Sequence, residues 1–175
     1  MEDLSLHILD IVENSVAAKA NRIEIRIVED KEDDILSLEI IDNGVGMDTD
    51  TINRVLDPFY TSKTVRRFGL GLSLLSESAK RANGSFSLES KKGTGTKIWA
   101  TFQLSHIDRQ PLGDMGQTMV TLILGNPDID FYYIHKKDKK EYILDTEEIK
   151  TQLNGAPINT PEVIKLIKED LKRIP

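Results

Sequence analysis

Asp10 and Asn14 are the first residues of this chain whose types and spacing could do chemistry. They lie four residues apart in segment 3–20, which has helical periodicity, so a carboxylate and an amide oxygen point to the same place. Such a pair can hold a hydrated Mg²⁺ through the amide while the acid orients or deprotonates a water. Asn14 is therefore the candidate metal ligand and Asp10 the candidate catalytic base. From the helix alone, a solvated polar face that also carries Asp3 and His7 is the simpler interpretation.

A second carboxylate, Asp42, follows the apolar segment 35–41, which has the composition of a buried strand. It begins the turn 42–48, in which Gly44 and Gly46 let the backbone approach a ligand. Taken alone, this stretch is equally well explained as a tight turn after a strand.

A third group of residues has the composition of a phosphate site. Lys63 begins a basic cluster that ends at Arg67, and Gly69-Leu70-Gly71 then leads into a helix predicted over 73–81. A glycine loop before a helix presents free N–H groups and a favourable dipole to anions. Because the spacing matches neither a P-loop nor a Rossmann fingerprint, we predict a movable lid that covers a polyphosphate.

The elements that must position these groups follow from the hydrophobic periodicity. Helices are expected over 3–20, 49–56, 73–81, 146–153 and 161–172. Strands are expected over 22–28, 35–41, around 86–88, and over 96–103, 119–124, 131–134 and 142–144.

Composition limits the possible classes of protein. The 23 basic and 29 acidic residues give a net charge of −6, which argues against a general nucleic-acid-binding surface. There is no cysteine, hence no disulfide or thiol nucleophile, and no apolar run approaches the ~20 residues that span a bilayer. The acidic start of the chain does not resemble a secretory signal, so a cytoplasmic protein is expected.

Together, these segments resemble the ATP-binding fold shared by gyrase-type topoisomerases, the heat-shock chaperone, histidine kinases and MutL, over roughly residues 4–103. Residues 11–23 look most like MutL, whereas 57–63 and the glycine segments from 69–73 to 93–96 look most like histidine kinases. The resemblance implies an α+β fold, a two-layer α/β sandwich of the Bergerat type, over 1–104. A linker over 105–117 and a small α+β extension over 118–175, which resembles nothing recognisable, would follow.

The resemblance also implies ATP and Mg²⁺ as ligands, and it assigns roles to residues. Asn14 would coordinate the magnesium ion, and Asp42 would accept a hydrogen bond from the adenine amino group, with Gly46 giving room beside the base. Thr94 or Thr96 would support Asp42 and an ordered water, and Asp10 stands where the hydrolytic members carry a glutamate. Residues expected to contact the phosphates are Lys63, Gly69, Leu70 and Gly71, and those expected in the same pocket are Gly44, Met47 and Leu72.

Three functions remain open at this point. The first is a stand-alone kinase-type domain that transfers the γ-phosphate of ATP to a separate protein, since the few residues before His7 are not expected to hold the phosphoacceptor module of histidine kinases. Autophosphorylation of His7 is the alternative in cis. The second is a MutL-like ATPase switch, in which nucleotide closes the lid and drives homodimerisation. The third is a module that senses ATP or ADP without turnover.

Overall fold

A computed structural model describes residues 3–57, 59 and 70–175, with Leu70 described by its backbone alone. Within these residues the chain forms six helices and six strands. The helices are α1 (Leu4–Ala17), α2 (Thr49–Leu56), α3 (Leu70–Arg81), α4 (Met115–Gly125), α5 (Thr146–Gln152) and α6 (Pro161–Leu171). The strands are β1 (Arg22–Asp30), β2 (Ile35–Asp42), β3 (Phe86–Lys91), β4 (Gly95–Gln103), β5 (Asp130–Lys137) and β6 (Lys140–Asp145).

All six strands belong to one sheet with the order β3-β4-β2-β1-β5-β6. Neighbouring strands are antiparallel except β1 and β5, which run parallel with Ile25 opposite Tyr133. The C-terminal extension therefore adds strands β5 and β6 directly to the sheet of the preceding residues. The predicted α+β class with a small α+β extension is confirmed.

The strands alternate between a buried and a solvated face, as expected for a two-layer sandwich. The buried face carries apolar side chains such as Ile25 and Leu38, which pack with the apolar sides of the helices into one core. Helix α1 packs between α3 and α4, and α4 packs on α6. The solvated face carries an ion-pair ladder in which Arg26 bonds Glu24 at 2.7 Å and Glu39 bonds Lys97 at 2.8 Å. No helix in the described part of the chain combines the length and apolar composition needed to cross a bilayer.

The predicted strand over 119–124 is wrong, because these residues lie within helix α4. A short apolar run fits a buried strand and a buried helix equally well, and its length decides between them. Asp114 supplies the N-cap by accepting the Gln117 N–H at 2.8 Å. Met115, Met119 and Leu122, at helical spacing, are then buried on one side. The feature that indicates a helix is therefore the N-cap Asp114, which precedes the apolar run.

Helix α1 begins after Asp3, whose carboxylate accepts the Leu6 N–H at 3.1 Å, and it ends at Ala17 rather than near residue 20. The interpretation of its polar stripe as a solvated face is wrong for His7, which is 2% exposed. His7 Nε2 donates to Gln110 Oε1 at 3.1 Å, an oxygen that also accepts the Ser78 hydroxyl at 2.6 Å. Burial lowers the pKa of His7, so its ring is held neutral.

Candidate functional site

A cavity of about 290 Å³ lies between helix α1, the turn after β2 and strand β4. We call it the Asp42 cavity. Its walls are mostly apolar, and its polar groups come from separate elements, which is typical of a small-molecule site. The lining residues are Ile11, Asn14, Ser15, Ala18, Asp42, Val45, Gly46, Met47, Asp48, Thr51, Leu72, Lys92, Thr96 and Ile98.

The carboxylate of Asp42 is buried and fixed by two donors. The Ser15 hydroxyl donates to Oδ2 at 2.6 Å, and the Gly44 N–H donates to Oδ1 at 2.9 Å. An ionised carboxylate has about four lone-pair sites, so these two bonds leave acceptor capacity at the cavity. Asp42 therefore presents an oriented acceptor to any ligand N–H that enters.

The turn that follows Asp42 is held on both sides by backbone hydrogen bonds. The Val45 N–H donates to the Ala18 carbonyl at 2.9 Å, and the Val45 carbonyl accepts the Gly93 N–H at 2.7 Å. Asn43 accepts the Arg22 N–H at 3.0 Å through its side-chain oxygen. This turn is therefore fixed in place by the α1–β1 and β3–β4 connections.

Gly46 is required by its backbone conformation and by its surroundings. Its φ of +68° lies in the left-handed region, and a Cβ at this position would overlap the Lys91 carbonyl. The next residue, Met47, donates its N–H to the Ser90 hydroxyl at 2.8 Å. The predicted pocket residues Gly44, Gly46 and Met47 thus stand together beside Asp42.

Asp10 lies against the first turn of helix α3. A Cβ added to Gly71 would overlap the Asp10 carboxylate, so a larger residue there would force that carboxylate to move away from α3. The N-terminal turn of a helix carries partial positive charge that stabilises an adjacent carboxylate. Asn14, one turn further along α1, lies on the cavity wall. The structure thus places Asp10 and Asn14 beside α3, where the predicted phosphate loop ends.

Thr96 and Thr94 differ in position. Thr96 lies on the cavity wall and is the cross-strand partner of Asp42 in the β2–β4 pair. The Thr96 hydroxyl forms its hydrogen bond with the Ser90 hydroxyl, at 2.8 Å. Thr96 is therefore connected to Asp42 through the pairing of strands β2 and β4. Thr94 lies in the exposed turn between β3 and β4.

The predicted phosphate residues are only partly described. Gly71 and Leu72 lie in the first turn of α3, and Leu72 is buried against the cavity. Lys63 and Gly69 lie outside the described residues, as does the side chain of Leu70.

Several residues that line the Asp42 cavity were not predicted from sequence patterns. The most consequential is Ser15, whose contact with Asp42 joins positions 27 residues apart and has no local signal. Asp48 caps α2 by accepting the Thr51 N–H at 2.8 Å, and hydrogen bonds from Thr51 lower the pKa of Asp48. A signal for Asp48 was present, because an aspartate directly before a helix is a standard N-cap.

The donor set fits magnesium held together with phosphates. Among the described residues, no group of three or more histidine or acidic side chains could enclose a metal ion by itself. Mg²⁺ commonly uses only one or two protein ligands and completes its shell with phosphate oxygens and water. The amide oxygen of Asn14, on the wall of a preformed cavity, is consistent with that mode.

Comparison with known proteins agrees with this geometry. The family model described as histidine kinase-, DNA gyrase B-, and HSP90-like ATPase matches residues 2–106. The sensor histidine kinase YxdK of Bacillus subtilis is 35% identical over 106 residues, covering 57% of this chain and 32% of YxdK. The sensor-like histidine kinase SenX3 of Mycolicibacterium smegmatis is 31% identical over 103 residues, covering 56% of this chain and 26% of SenX3. The matched part thus spans about a third or less of these relatives.

A solved structure extends the similarity beyond the family match. The Aquifex aeolicus MutL ATPase domain complexed with ADP has a TM-score of 0.52 at 17% identity, covering 88% of this chain and 70% of that chain. At this identity the comparison shows the fold, which is the Bergerat ATP-binding fold. Because the family model also covers more than half of the chain, the chain belongs to the histidine kinase-, DNA gyrase B- and HSP90-like ATPase family.

Proposed function

We propose that the protein binds Mg-ATP in the Asp42 cavity and transfers the γ-phosphate to a separate partner protein. The observation that carries nucleotide binding is the fixed carboxylate of Asp42 within apolar walls. A flat base with an exocyclic amino group fits such a site, because the amino group can donate to the Asp42 carboxylate while the ring contacts the apolar walls. Family membership makes ATP the expected nucleotide.

The residues of the chain would bind and orient the nucleotide. Asp42 would accept the amino hydrogen of the base, and Gly46 would leave room beside it. Mg²⁺, when bound, would neutralise phosphate charge, with the Asn14 amide oxygen as its ligand from the chain. The backbone N–H groups at the start of α3 would face the phosphates.

The three histidines support transfer to a separate protein. Each has at least one ring nitrogen engaged: His7 bonds Gln110 at 3.1 Å, His106 accepts the Asp108 N–H at 3.1 Å, and His135 bonds Glu29 at 2.8 Å. His7 and His135 are also buried. A buried imidazole has little access to the γ-phosphate of a bound nucleotide, so autophosphorylation of His7 is disfavoured. The sensor histidine kinases that match this chain are consistent with phosphotransfer.

Phosphotransfer is tested by incubating the protein with γ-labelled ATP and a cell extract. The proposal expects label on a protein other than this chain, and expects Asp42→Asn to abolish that label. Asp50→Asn, which removes an exposed carboxylate of α2 outside the cavity, is the matched control. Release of free phosphate without any labelled protein would contradict the proposal of phosphotransfer to a partner protein.

An ATPase switch is the second candidate, and the position of Asp10 favours it. Its carboxylate lies against Gly71, one helical turn from Asn14, where a base could take a proton from an attacking water. Slow Mg²⁺-dependent hydrolysis that Asp10→Asn lowers by about 100-fold would support this function. Hydrolysis at an unchanged rate in Asp10→Asn would remove Asp10 as the base. A nucleotide-dependent increase in mass on gel filtration would indicate the homodimer that this function includes.

A further inference from the structure

A second cavity, of about 750 Å³, lies on the side of the molecule formed by the C-terminal extension. The ends of β1 and β5, the N-terminal part of α4 and the C-terminal part of α6 enclose it. Its lining shares no residue with the Asp42 cavity. The volume falls within the range of about 300–1,000 Å³ that is typical of small-molecule sites.

Lysines from two elements surround this cavity, which we call the lysine-rimmed cavity. Lys137 comes from β5, and Lys168 and Lys172 come from the end of α6 and the residue after it. Lys168 makes no ion pair with any residue that the structure describes, the Lys137 ammonium lies 3.8 Å from Glu29, and the Lys172 ammonium pairs with the exposed Glu169 of α6 at 2.8 Å. The lining carries three lysines against two acidic side chains, Glu29 and Asp114, in a chain whose net charge is −6.

The two acidic side chains of the lining are already engaged. Asp114 caps α4 through the Gln117 N–H at 2.8 Å. Glu29 accepts a 2.8 Å hydrogen bond from His135 Nε2, and His135 Nδ1 accepts the Tyr133 hydroxyl at 3.0 Å. Because a carboxylate can only accept, this chain of bonds fixes the tautomer of His135. Among the described residues, Lys168 therefore remains as the basic side chain of the lining that has no ion-pair partner.

Apolar side chains also line the lysine-rimmed cavity. Val120 of α4 and Leu171 of α6 are almost fully buried, and Leu112 packs against the same core. A ligand that fills this space would contact both apolar groups and lysine side chains. These two requirements together describe an organic anion.

The wall that carries Leu112 is fixed to helix α1. The Leu4 N–H donates to the Pro111 carbonyl at 2.9 Å, and the Ser5 N–H donates to the Leu112 carbonyl at 2.8 Å. These bonds satisfy N–H groups of the first turn of α1 that have no partner within the helix. The cavity is thus preformed, which lowers the entropic cost of binding.

We propose that the lysine-rimmed cavity is a second binding site, for a small organic anion with an apolar body and a phosphate or carboxylate group. The lysine ammonium groups would bind the anionic group as point charges. Val120 and Leu171 would contact the body of the ligand. This site is independent of nucleotide binding in the Asp42 cavity.

The test is a titration of the ¹⁵N-labelled protein, followed residue by residue by NMR. The probes are phenyl phosphate, benzoate and benzylamine, which have similar apolar bodies but differ in the charge and type of their polar group. The proposal expects saturable shifts at Gly116, Lys137 and Lys168 with phenyl phosphate or benzoate, and none with benzylamine. Whichever of the two anions binds more tightly identifies the preferred anionic group.

Variants localise the binding. The double variant Lys168→Ala/Lys172→Ala is expected to weaken binding by about tenfold or more, because it removes two charge-assisted contacts. Lys165→Ala on the same helix and Lys136→Ala beside Lys137 are the matched controls, since neither side chain lines the cavity. All four lysines are exposed or at the rim, and the dispersion of each NMR spectrum verifies folding.

Four results would overturn the proposal. They are the absence of saturable shifts with both anions, equal binding of benzylamine, equal weakening by the control variants, and shifts confined to Asp42-cavity residues such as Ala18 and Gly46.

Discussion

The hydroxyl of Ser15 donates a 2.6 Å hydrogen bond to the buried carboxylate of Asp42, joining helix α1 to the end of strand β2. Both partners are less than 10% exposed. A short, buried bond from a hydroxyl to a carboxylate belongs to the stronger class of hydrogen bonds. It orients Asp42 toward the cavity, and it connects the helix that carries Asn14 to the proposed acceptor for the base.

Ser15→Ala is expected to weaken ATP binding about tenfold, because Asp42 loses one of its two donors and can rotate. The same change should lower the free energy of unfolding by about 1–3 kcal/mol, the usual cost of an unsatisfied buried group. Calorimetric titration with Mg-ATP and urea denaturation measure the two effects. Ser87→Ala, at an exposed position of β3, is the control. Wild-type affinity in Ser15→Ala would show that the bond does not orient Asp42.

Gly71→Ala is expected to lower stability, although alanine in a helix normally raises it by about 1 kcal/mol relative to glycine. The sign reverses because the added methyl group would overlap the carboxylate of Asp10. Gly125→Ala at the end of α4 is the matched control, since a Cβ there has no neighbour within 4 Å. Urea denaturation measures both variants.

A double-mutant cycle separates this contact from other causes. Adding Asp10→Ala to Gly71→Ala should restore most of the lost stability, since the overlapping carboxylate is then absent. Additive losses in the double variant would place Asp10 away from Gly71.

The stability of the protein is expected to fall between about pH 7 and about pH 5. Burial lowers the pKa of both His7 and His135 in the folded state. The unfolded chain therefore binds more protons once the pH drops below about 6.5, and the free energy of unfolding decreases as pH falls. The slope is at most about 1.4 kcal/mol per pH unit for each histidine.

Urea denaturation across this range measures the slope. His135→Gln and His7→Gln should each reduce it, even though each variant also shifts the absolute stability. Identical slopes in the wild type and both variants would contradict the assignment to these histidines.

Much of the nucleotide-binding half follows from local patterns in the sequence. Alternation over 22–28 and 35–41 predicts strands that the structure contains. The helix predicted over 73–81 is also present, but α3 begins at Leu70, so Leu70 and Gly71 lie within it rather than in a loop before it. Asp42 and Asn14 are predictable as site residues because an acid at a strand end can accept a hydrogen bond from a ligand and an amide on a helix face can coordinate a metal ion. Both line the same cavity.

The remaining features depend on contacts between distant residues. The parallel pairing of β1 with β5 joins positions more than 100 residues apart, as in Arg22 opposite Asp130, and no local pattern encodes it. The same holds for the contact of Ser15 with Asp42 and for the burial of His7 under Gln110. The apolar run 119–124 by itself predicts a strand, and the N-cap Asp114, which indicates helix α4, lies five residues before it.

Nucleotide recognition by Asp42 is tested most directly by calorimetric titration of Mg-ATP into the wild-type protein and Asp42→Asn. The variant keeps the size of the side chain but replaces an acceptor oxygen with an N–H donor, which would face the amino group of the base. Saturable binding to the wild type, weakened about 100-fold or more in Asp42→Asn but unchanged in Asp50→Asn, is the expected result. Equal affinity of the wild type and Asp42→Asn, or no binding to the wild type, would contradict the assignment of this cavity to ATP.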